Sequence, residues 1–501
     1  MKLFDISYPE NDFNRKKHLY FKNLGDKVSY ASYFNSFAAG IYNKYTKISE
    51  VSLNLTTKCS CRVLLVKASL LKNKIIETII EEKECNPGQE LIFTCNIEGF
   101  EEESILYPEF YKKDDSFRKN EITSDFCQGY WFCRDEYKST DVKMAAVITT
   151  YRRESFIISN LKELACTEKV KDGSLKVFVI DNGQTLDLRQ QDFPFAKIFP
   201  NKNLGGAGGF TRGIMEVLKN RENFSHIILM DDDIAFNRGL FTRNHSFLSV
   251  LKDEYKTWAL GGAMLRLNDP CIQHERGSCY DFLRLKAWGK NANLCKQTVL
   301  MKNLKAVRMD FNAWWYCCYP VECIDKDQLP MPYFIKGDDI EFGIRKFKNK
   351  FIMVNGISVW HQEFAGKDSP YLYYYSIRNR LTSNAIHEEK CLAFKTFLTY
   401  AVHLTFNTLK RKKAVYFVKL AFRDFLKGAE HLNNIDGEEL NGFLRSHKSK
   451  CCCDLFYIVR LPFEIIKAVF KIALNQKQIK SYKEKQADLV SWQSWAKRLG
   501  I

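Results

Sequence analysis

The sequence contains no stretch of about 18 apolar residues free of charged side chains, so it predicts no transmembrane helix. Residues 1–5 lack the apolar core of a secretory signal peptide, and we expect a chain that stays in the cytoplasm. The 17 cysteines are irregularly spaced and form no paired C-x-x-C framework, which argues against a structural zinc site. We therefore expect free thiols in a reducing compartment.

A G-x-G-x-x-G fingerprint is also missing after the first strand of the predicted α/β region, which argues against a dinucleotide-dependent dehydrogenase. The composition, with 46% hydrophobic and 14% aromatic residues, is that of a globular protein and excludes a disordered chain. A length of 501 residues exceeds what one hydrophobic core organises. Two to four domains are expected.

The net charge of +17 is unevenly distributed along the chain. Residues 401–501 hold 19 Lys and Arg against 9 Asp and Glu, so the last fifth of the chain supplies +10. This balance predicts an anionic partner at the C-terminal end: a lipid surface or nucleic acid, unless the charge serves solubility alone.

Residues 1–141 show no helical periodicity and are predicted to form a β-sandwich. Short β-like runs recur there, separated by turn signals such as Asn86-Pro87-Gly88. The runs fall at residues 51–55, 62–66, 75–80, 91–95 and 130–132.

Strands and helices alternate in residues 142–389, which predicts a doubly wound, mostly parallel sheet. A glycine-rich turn at residues 203–209 is expected to open a helix that runs to residue 220. The other predicted elements are strands at residues 145–149, 176–180, 196–199, 226–230 and 331–335, and a helix at 155–166.

Residues 390–501 are predicted to be helical and basic. Residues 455–474 are almost wholly apolar except for Arg460, Glu464, Lys467 and Lys471, which fall on one narrow stripe of a helix. Such a helix packs into a bundle or lies in a membrane interface, and the sequence leaves both options open.

Three consecutive carboxylates, Asp231, Asp232 and Asp233, follow the buried strand at residues 226–230. An open α/β sheet binds its ligand outside the carboxyl ends of its strands, and a cation offsets the repulsion among such carboxylates. We expect Asp231 and Asp233 to face a divalent metal and Asp232 to point away. The alternative is a solvated acidic turn or a helix cap.

Polar residues at the other strand ends are candidates for donor binding. Arg152 and Arg153 follow the first strand, and either could pair with a diphosphate. Asp181 and Asn182 end the second strand and could contact a uracil or a ribose. Asn203 and the glycines after it allow close backbone approach at a helix N-terminus, which suits an anion.

Three further motifs complete the candidate site. Trp314 and Trp315 should point in opposite directions, one into the core and one against a sugar ring, unless both are buried. Asp338 and Asp339 are a general base or a helix cap, and the two roles can coexist. His361 is a structural residue, or it adds an imidazole to two carboxylates in a manganese site.

Together these fragments resemble family 2 inverting glycosyltransferases of the GT-A fold, in particular bacterial galactofuranosyltransferases of the mycobacterial galactan-polymerising type. The resemblance covers about residues 144–380 and, more loosely, the β-sandwich before them. The fragments that carry it fall at residues 149–151, 203–206, 230–234, 314–315, 334–339, 360–361 and 375–380.

The resemblance implies a role for each matching residue. Asp339 is the catalytic base, and Asp231, Asp233 and His361 bind the metal, with Mn²⁺ favoured over Mg²⁺. The donor-binding set is Thr149, Tyr151, Arg153, Asp181, Asn182, Asn203, Asp231 and Asp232. The acceptor-binding set is Trp314, Trp315, Asp338 and Glu275.

The sequence therefore predicts a metal-dependent transferase that moves a sugar from a UDP-sugar, favoured as UDP-galactofuranose, to a glycan or lipid-linked glycan acceptor. We expect it peripherally on the cytoplasmic face of the membrane, bound to anionic lipid and not to nucleic acid, with a homo-oligomer left open. A rhamnosyl or other hexosyl donor stays open. The alternatives from other classes are a nucleotidyltransferase or phosphohydrolase and a non-catalytic glycan-binding protein.

Overall fold

The strands of the first sheets pair antiparallel, and β7 alternates exposed and buried side chains, as in a sheet with one face in the core and one in solvent. The computed structural model describes residues 1–10, 12–112, 126–187, 191–363, 369–447 and 454–501. The strands of this region are β1 (Lys2–Asp5), β2 (Lys22–Asn23), β3 (Lys27–Ser29), β4 (Glu50–Thr57), β5 (Cys61–Leu71), β6 (Lys74–Cys85), β7 (Glu90–Asn96), β8 (Ile105–Lys112) and β9 (Cys127–Phe132). Two helices accompany them, α1 (Phe13–Lys16) and α2 (Ala39–Tyr45).

These strands form two sheets, in the orders β1-β9-β4-β7 and β2-β3-β8-β5-β6. Inward side chains of both sheets share one apolar core, and Trp131 stacks there on Phe37 with ring centroids 5.1 Å apart. The predicted β-sandwich is confirmed. The predicted domain boundaries at residues 141 and 389 stay predictions.

The central part of the chain alternates strands and helices around one ten-stranded sheet. The strands, including a separate two-stranded ribbon of β17 and β18, are β10 (Met144–Thr150), β11 (Leu175–Asp181), β12 (Ala196–Pro200), β13 (His226–Asp231), β14 (Ile234–Phe236), β15 (Ala259–Arg266), β16 (Ile272–Glu275), β17 (Ser278–Tyr280), β18 (Leu285–Ala287), β19 (Ala292–Asn293), β20 (Tyr316–Pro320) and β21 (Phe351–His361). The helices are α3 (Glu154–Ala165), α4 (Glu168–Lys171), α5 (Gly205–Leu218), α6 (Leu240–Ser249), α7 (Gln297–Lys302) and α8 (Asp338–Phe347).

The four strands β12, β11, β10 and β13 lie side by side in this order and are parallel. The chain adds β11 and β12 on one side of β10 and then β13 on the other side, as in a doubly wound sheet. The register pairs Thr150 with Asp181 and Thr149 with Asp231, so the carboxyl ends of three strands meet at one edge. A doubly wound sheet binds its ligand at this switch point. The predicted α/β fold class is therefore confirmed.

One predicted strand is wrong. Residues 331–335 are irregular, and their backbone carbonyl groups bond to side chains of a helix rather than to another strand. Pro330 and Pro332 explain the difference, because proline lacks the backbone N–H that a sheet ladder requires.

The C-terminal region is helical, as predicted, and has its own apolar core. Its helices are α9 (Leu372–His387), α10 (Leu392–Lys410), α11 (Val415–Phe425), α12 (Ala429–Asn434), α13 (Gly437–Ser446), α14 (Asp454–Leu474), α15 (Gln476–Glu484), α16 (Gln486–Val490) and α17 (Trp492–Leu499). Helix α17 returns to the α/β region, where the indole N–H of Trp495 donates to the carbonyl of Pro330 at 2.9 Å.

Helix α14 covers the expected apolar stretch, but much of its apolar surface faces outward. Phe463 and Phe470 are 63% and 65% exposed. Within the described part of the chain, no helix is both long and apolar enough to cross a membrane.

Candidate active site

A cluster of two carboxylates and one imidazole lies at the carboxyl end of β13. The short strand β14, directly after the three aspartates, pairs antiparallel with the end of β21, so that Ile234 lies opposite His361. The Nε2 atom of His361 is 3.0 Å from Oδ1 of Asp233 and 3.7 Å from Oδ2 of Asp231. The pairing of β14 with β21 thus brings together residues that are more than a hundred positions apart in the sequence.

Asp232 points away from this cluster, as the alternation of side chains predicts. Its Oδ2 accepts from the Thr150 hydroxyl at 2.6 Å and its Oδ1 from Arg153 at 2.9 Å, while Asn160 donates to its backbone carbonyl. Arg153 also contacts Oδ2 of Asp233 at 3.0 Å. Asp232 therefore fixes the position of Arg153, whose side chain remains 45% exposed toward the site.

The electrostatics of the cluster fit a cation. Burial, reinforced by Asp233 and Asp232, raises the pKa of Asp231 to about 7. Burial alone would lower the pKa of His361, but the hydrogen bond that its imidazole donates to Asp233 and the charge of Asp231 raise the pKa. Two carboxylates and an imidazole with ligand atoms within 4.8 Å of one another are a donor set that suits a divalent transition metal.

A second pair of carboxylates, Asp338 and Asp339, begins helix α8. The preceding loop has left-handed backbone at Phe334, Lys336 and Gly337, with φ of 72°, 64° and 92°. Such a conformation is costly for residues other than glycine and requires support from the surrounding structure.

Two side chains of α9 provide this support. The Asn379 amide donates to the carbonyl groups of Ile335 and Lys336 at 3.0 and 2.6 Å, and Arg378 donates to that of Tyr333 at 2.8 Å. These bonds replace the ladder of the strand that was expected here. They give the motif at residues 375–380 a physical role, which is to fix the loop that carries Asp338 and Asp339.

Glu275, at the end of β16, lies near the carboxylates at the start of α8. Burial raises the pKa of Asp339 to about 6 and, together with the charge of Asp339, raises that of Asp338 to about 8. Burial and the same charge raise the pKa of Glu275 to about 7. The charge of Asp231 also raises the pKa of Asp338, so the cluster at the end of β13 and the carboxylates of α8 are near enough to interact electrostatically.

Two of the predicted donor residues bond mainly to their own surroundings. The carboxylate of Asp181 accepts from the backbone of Gly183 and Leu186, at 3.0 and 2.8 Å. The amide of Asn182 donates to the carbonyl of Gly205 at 3.0 Å and accepts from Asn201 at 2.8 Å. In this structure both residues shape the loop at the end of β11, and their contact with a donor stays a prediction.

The beginning of α5 approaches the end of β10 closely. A Cβ at Gly209 would lie 1.7 Å from the Thr149 hydroxyl oxygen, so only glycine fits there. The Thr149 hydroxyl is buried and finds no hydrogen-bond partner among the described residues, which leaves it available to a ligand.

Asn203 donates to Glu438 of α13 at 3.0 Å, which ties the helical region to this edge of the sheet. Tyr151, by contrast, is exposed.

Trp314 and Trp315 point in opposite directions, as predicted, but both are buried. The indole N–H of Trp314 donates to the Tyr319 hydroxyl and its ring packs on Phe210, with centroids 5.1 Å apart. The indole N–H of Trp315 donates to the carbonyl of Gly262 at 3.0 Å. Burial favours the core alternative for this pair, and a role in acceptor binding stays a prediction.

Sequence reasoning missed four supporting residues: Thr150, Asn160, Arg378 and Asn379. Arg378 and Asn379 belong to a fragment that the resemblance had selected without a role. Asn160 falls on the inward face of α3, where a buried amide among apolar residues is a signal that could have been used.

Glu341, on the first turns of α8, anchors the helix that carries Asp339. It is fully buried, and it accepts from Arg345 on both oxygens, from His387 of α9 and from Gln486 of α16. Burial alone would raise the pKa of Glu341. The charge of Arg345 and the hydrogen bond from His387 outweigh burial and lower this pKa to about 2. The contribution of Glu341 to stability is therefore complete above pH 4.5 and is lost as the pH falls toward 2.

We expect Glu341→Gln to destabilise the protein by about 3–5 kcal/mol, because the buried Arg345 loses its counter-charge. Thermal denaturation at pH 7 measures the effect, with the exposed Glu98→Gln as the matched control. An unchanged melting temperature for Glu341→Gln would contradict the anchoring role.

The chain is similar to known proteins along most of its length. A family model described as Galactofuranosyltransferase 2 N-terminal matches residues 12–120. Galactofuranosyltransferase GlfT2 of Mycobacterium tuberculosis is 27% identical over 458 residues, which cover 84% of this chain and 69% of that protein. GlfT2 of Mycolicibacterium smegmatis is 24% identical over 445 residues, covering 82% and 65%. Among solved structures, mannosyltransferase PcManGT from Pyrobaculum calidifontis, in complex with GDP-Man and Mn²⁺, is similar over 67% of this chain and 87% of its own, with 12% identity and a TM-score of 0.35.

The doubly wound sheet, the cluster at its switch point and the similarity in sequence define a glycosyltransferase of the GT-A type. The predicted resemblance to bacterial galactofuranosyltransferases is confirmed by the two mycobacterial relatives.

Proposed function

We propose that this protein is a metal-dependent inverting transferase that moves galactofuranose from UDP-galactofuranose to a glycan or lipid-linked glycan acceptor. The observation that carries the proposal is the Asp231, Asp233 and His361 cluster, whose Asp231 interacts electrostatically with Asp338, the neighbour of Asp339. The cluster suits a diphosphate-bound metal, and the carboxylate of Asp339 suits proton removal from an acceptor hydroxyl. The names of the two relatives support the choice of donor.

In the proposed reaction, the oxygen of the acceptor hydroxyl attacks the anomeric carbon of the donor sugar while the Asp339 carboxylate takes the hydroxyl proton. UDP departs from the opposite face of the sugar. Arg153, held by Asp232, lies where it can pair with the departing diphosphate. In this proposal Asp338 and Glu275 orient the acceptor. Because their pKa values lie above the ordinary range, each can donate a proton in a hydrogen bond to a sugar hydroxyl near neutral pH.

Asp231, Asp233 and His361 would hold the metal. A bound divalent cation stabilises negative charge on a departing diphosphate. We favour Mn²⁺, because an imidazole ligand suits transition metals better than Mg²⁺ or Ca²⁺, which prefer all-oxygen sites.

We expect Asp233→Ala and His361→Ala each to lower the metal-supported rate by at least tenfold, since each removes one of three protein ligands. Excess chelator should abolish turnover by the wild-type chain, and Mn²⁺ should restore it better than Ca²⁺. The measurement is UDP release across a metal titration. Full activity in excess chelator would contradict the metal assignment.

A donor screen tests the proposed function as a whole. The full chain is incubated with UDP-galactofuranose, UDP-galactopyranose and a nucleotide-rhamnose, each with a lipid-linked glycan extract. The proposal expects UDP release with the furanose donor that depends on the extract. Faster transfer from another donor would assign a different hexosyltransferase of the same fold. No release of a nucleoside diphosphate from any donor, together with pyrophosphate release from UTP and a hexose 1-phosphate in a parallel reaction, would assign a nucleotidyltransferase.

We also propose that the enzyme works at the cytoplasmic surface of the membrane, where a lipid-linked acceptor is available. Helices α10 and α14 are neighbours and expose a set of large apolar side chains, here called the α10/α14 face. Its members are Phe394, Val402, Phe406, Leu409, Ile458, Val459, Phe463, Ile466, Val469, Phe470 and Leu474. Exposed apolar side chains gathered on two neighbouring helices are typical of an interaction surface, and their position within a strongly basic region favours an anionic bilayer.

A further inference from the structure

A cleft lies beside Arg276, the residue that directly follows β16. It has a volume of about 510 Å³ and lies between the β5–β6 turn of the sandwich and helix α7 of the α/β region. Its lining comes from both regions: Leu70, Lys72, Asn73, Glu103, Arg276, Trp288, Gly289, Ala292, Val299, Lys302, Asn303, Lys305 and Val307.

The charge of this cleft is strongly positive. Lys72, Arg276, Lys302 and Lys305 contribute four cations, and Glu103 is the one carboxylate of the lining. Cations gathered in a concave surface with low-dielectric walls concentrate the positive potential there. Such a surface selects an anion.

Arg276 differs from the lysines of the cleft because it is a buried cation. It is only 5% exposed, and among the described residues it forms no ion pair. One guanidinium nitrogen donates to the carbonyl of Lys305 at 2.7 Å, while Nε has no hydrogen-bond partner in the described part of the chain. Burial lowers the pKa of Arg276 to about 10, and the charge of Glu102, which forms no ion pair with it, offsets only part of this effect. A buried cation of this kind is stabilised by a bound anion.

The remaining lining suits a sugar. Trp288 is half-buried and anchored by its indole N–H, which donates to the carbonyl of Arg308 at 2.8 Å, so its ring presents a fixed apolar surface. The Asn303 amide is fixed by reciprocal bonds to Gln273, at 3.1 and 3.0 Å. Rigid aromatic and amide groups lower the entropic cost of binding hydroxyl-rich ligands.

The turn that carries Lys72 is also rigid. Leu71 pairs with Lys74, and the two residues between them, Lys72 and Asn73, have φ of 47° and 67°. This is the two-residue type I′ turn that matches the twist of a β-hairpin. Lys72 is therefore presented across the cleft from Lys302 at a defined position.

We propose that this cleft binds a saccharide carrying a phosphate group. A phosphate monoester carries nearly two negative charges at pH 7, which matches the excess of cations better than a single carboxylate does. Glu275 and Arg276 are consecutive on the chain, and Glu275 lies near Asp339 whereas Arg276 lines the cleft. A phosphorylated sugar bound here would be a part of the glycan acceptor distant from the reacting hydroxyl, and this extension rests on the proposed function.

Isothermal titration calorimetry of the full chain tests the binding, with saturating UDP present to fill the donor site. The probes are galactose 6-phosphate, galacturonate, galactose and inorganic phosphate. We expect galactose 6-phosphate to bind at least tenfold more tightly than each of the other three. Lys72→Gln/Lys302→Gln should weaken it at least tenfold, since both lysines are exposed and their replacement leaves the packing intact.

Lys176→Gln/Lys197→Gln is the matched control, because it removes two exposed lysines from β11 and β12, outside the cleft. Its affinity for galactose 6-phosphate should equal that of the wild-type chain. Equal binding of galactose or inorganic phosphate, or equal weakening by both double variants, would overturn the proposal. Because no donor sugar is consumed, the result does not depend on whether the chain transfers galactofuranose.

Discussion

Asp339→Asn is expected to lower kcat by about 100-fold or more while donor affinity changes little, as when a general base is lost. Asparagine keeps the size of the side chain and its place on the first turn of α8, but it cannot accept the hydroxyl proton. Oδ1 of Asp339 accepts from the backbone N–H of Ile340 at 2.8 Å, and an amide oxygen can make the same bond. The helix should therefore begin at the same position in the variant.

Two measurements separate loss of the base from loss of the site. UDP release at saturating donor and acceptor gives kcat, and calorimetric titration with UDP gives donor affinity. Asp141→Asn, an exposed aspartate 72% accessible at its side chain, serves as the matched control and should retain full turnover. If Asp339→Asn loses UDP affinity and keeps its turnover, Asp339 belongs to the donor site instead.

The strands that build the site could be predicted because they are buried on both faces. β10, β11 and β13 appear in the sequence as continuous apolar runs, each followed by polar residues. Since parallel strands align their carboxyl ends, the sequence alone predicts that Asp181, Asp231 and their neighbours lie at one edge of the sheet.

The contacts between distant segments could not be predicted in the same way. His361 reaches Asp233 only because β14 pairs with β21, and β14 is three residues long. Residues 331–335 were predicted to form a strand. Their conformation is instead set by Arg378 and Asn379, which bond to their carbonyl groups from another helix.

The neighbours of helix α14 also could not be predicted from the sequence. The sequence identified one polar stripe on this helix, but both a bundle and a membrane interface were compatible with it. In the structure Glu464 pairs with Lys419 of α11 at 2.8 Å, so part of the polar stripe faces the helical core. Val459, Phe463, Ile466 and Phe470, spaced three or four residues apart, are left on the outer side.

The full chain is expected to bind vesicles of anionic lipid through the α10/α14 face. Phe463→Ser/Phe470→Ser should weaken binding by 100-fold or more, because full burial of each phenylalanine contributes about 1.5–3 kcal/mol. Lys467→Gln/Lys471→Gln should weaken it by about 30-fold, since each basic residue near the surface contributes about 1 kcal/mol. The electrostatic part should fall in high salt and the apolar part should persist.

Co-sedimentation with phosphatidylglycerol and phosphatidylcholine vesicles measures these effects. Phe156→Ser is the matched control, because Phe156 is 51% exposed on α3, outside the face, and its loss should leave vesicle binding unchanged. Equal sedimentation of the wild-type chain and Phe463→Ser/Phe470→Ser would contradict membrane docking. If the variant instead lowers the mass of the protein in solution and the wild-type chain ignores both vesicles, a second copy of the chain covers the α10/α14 face.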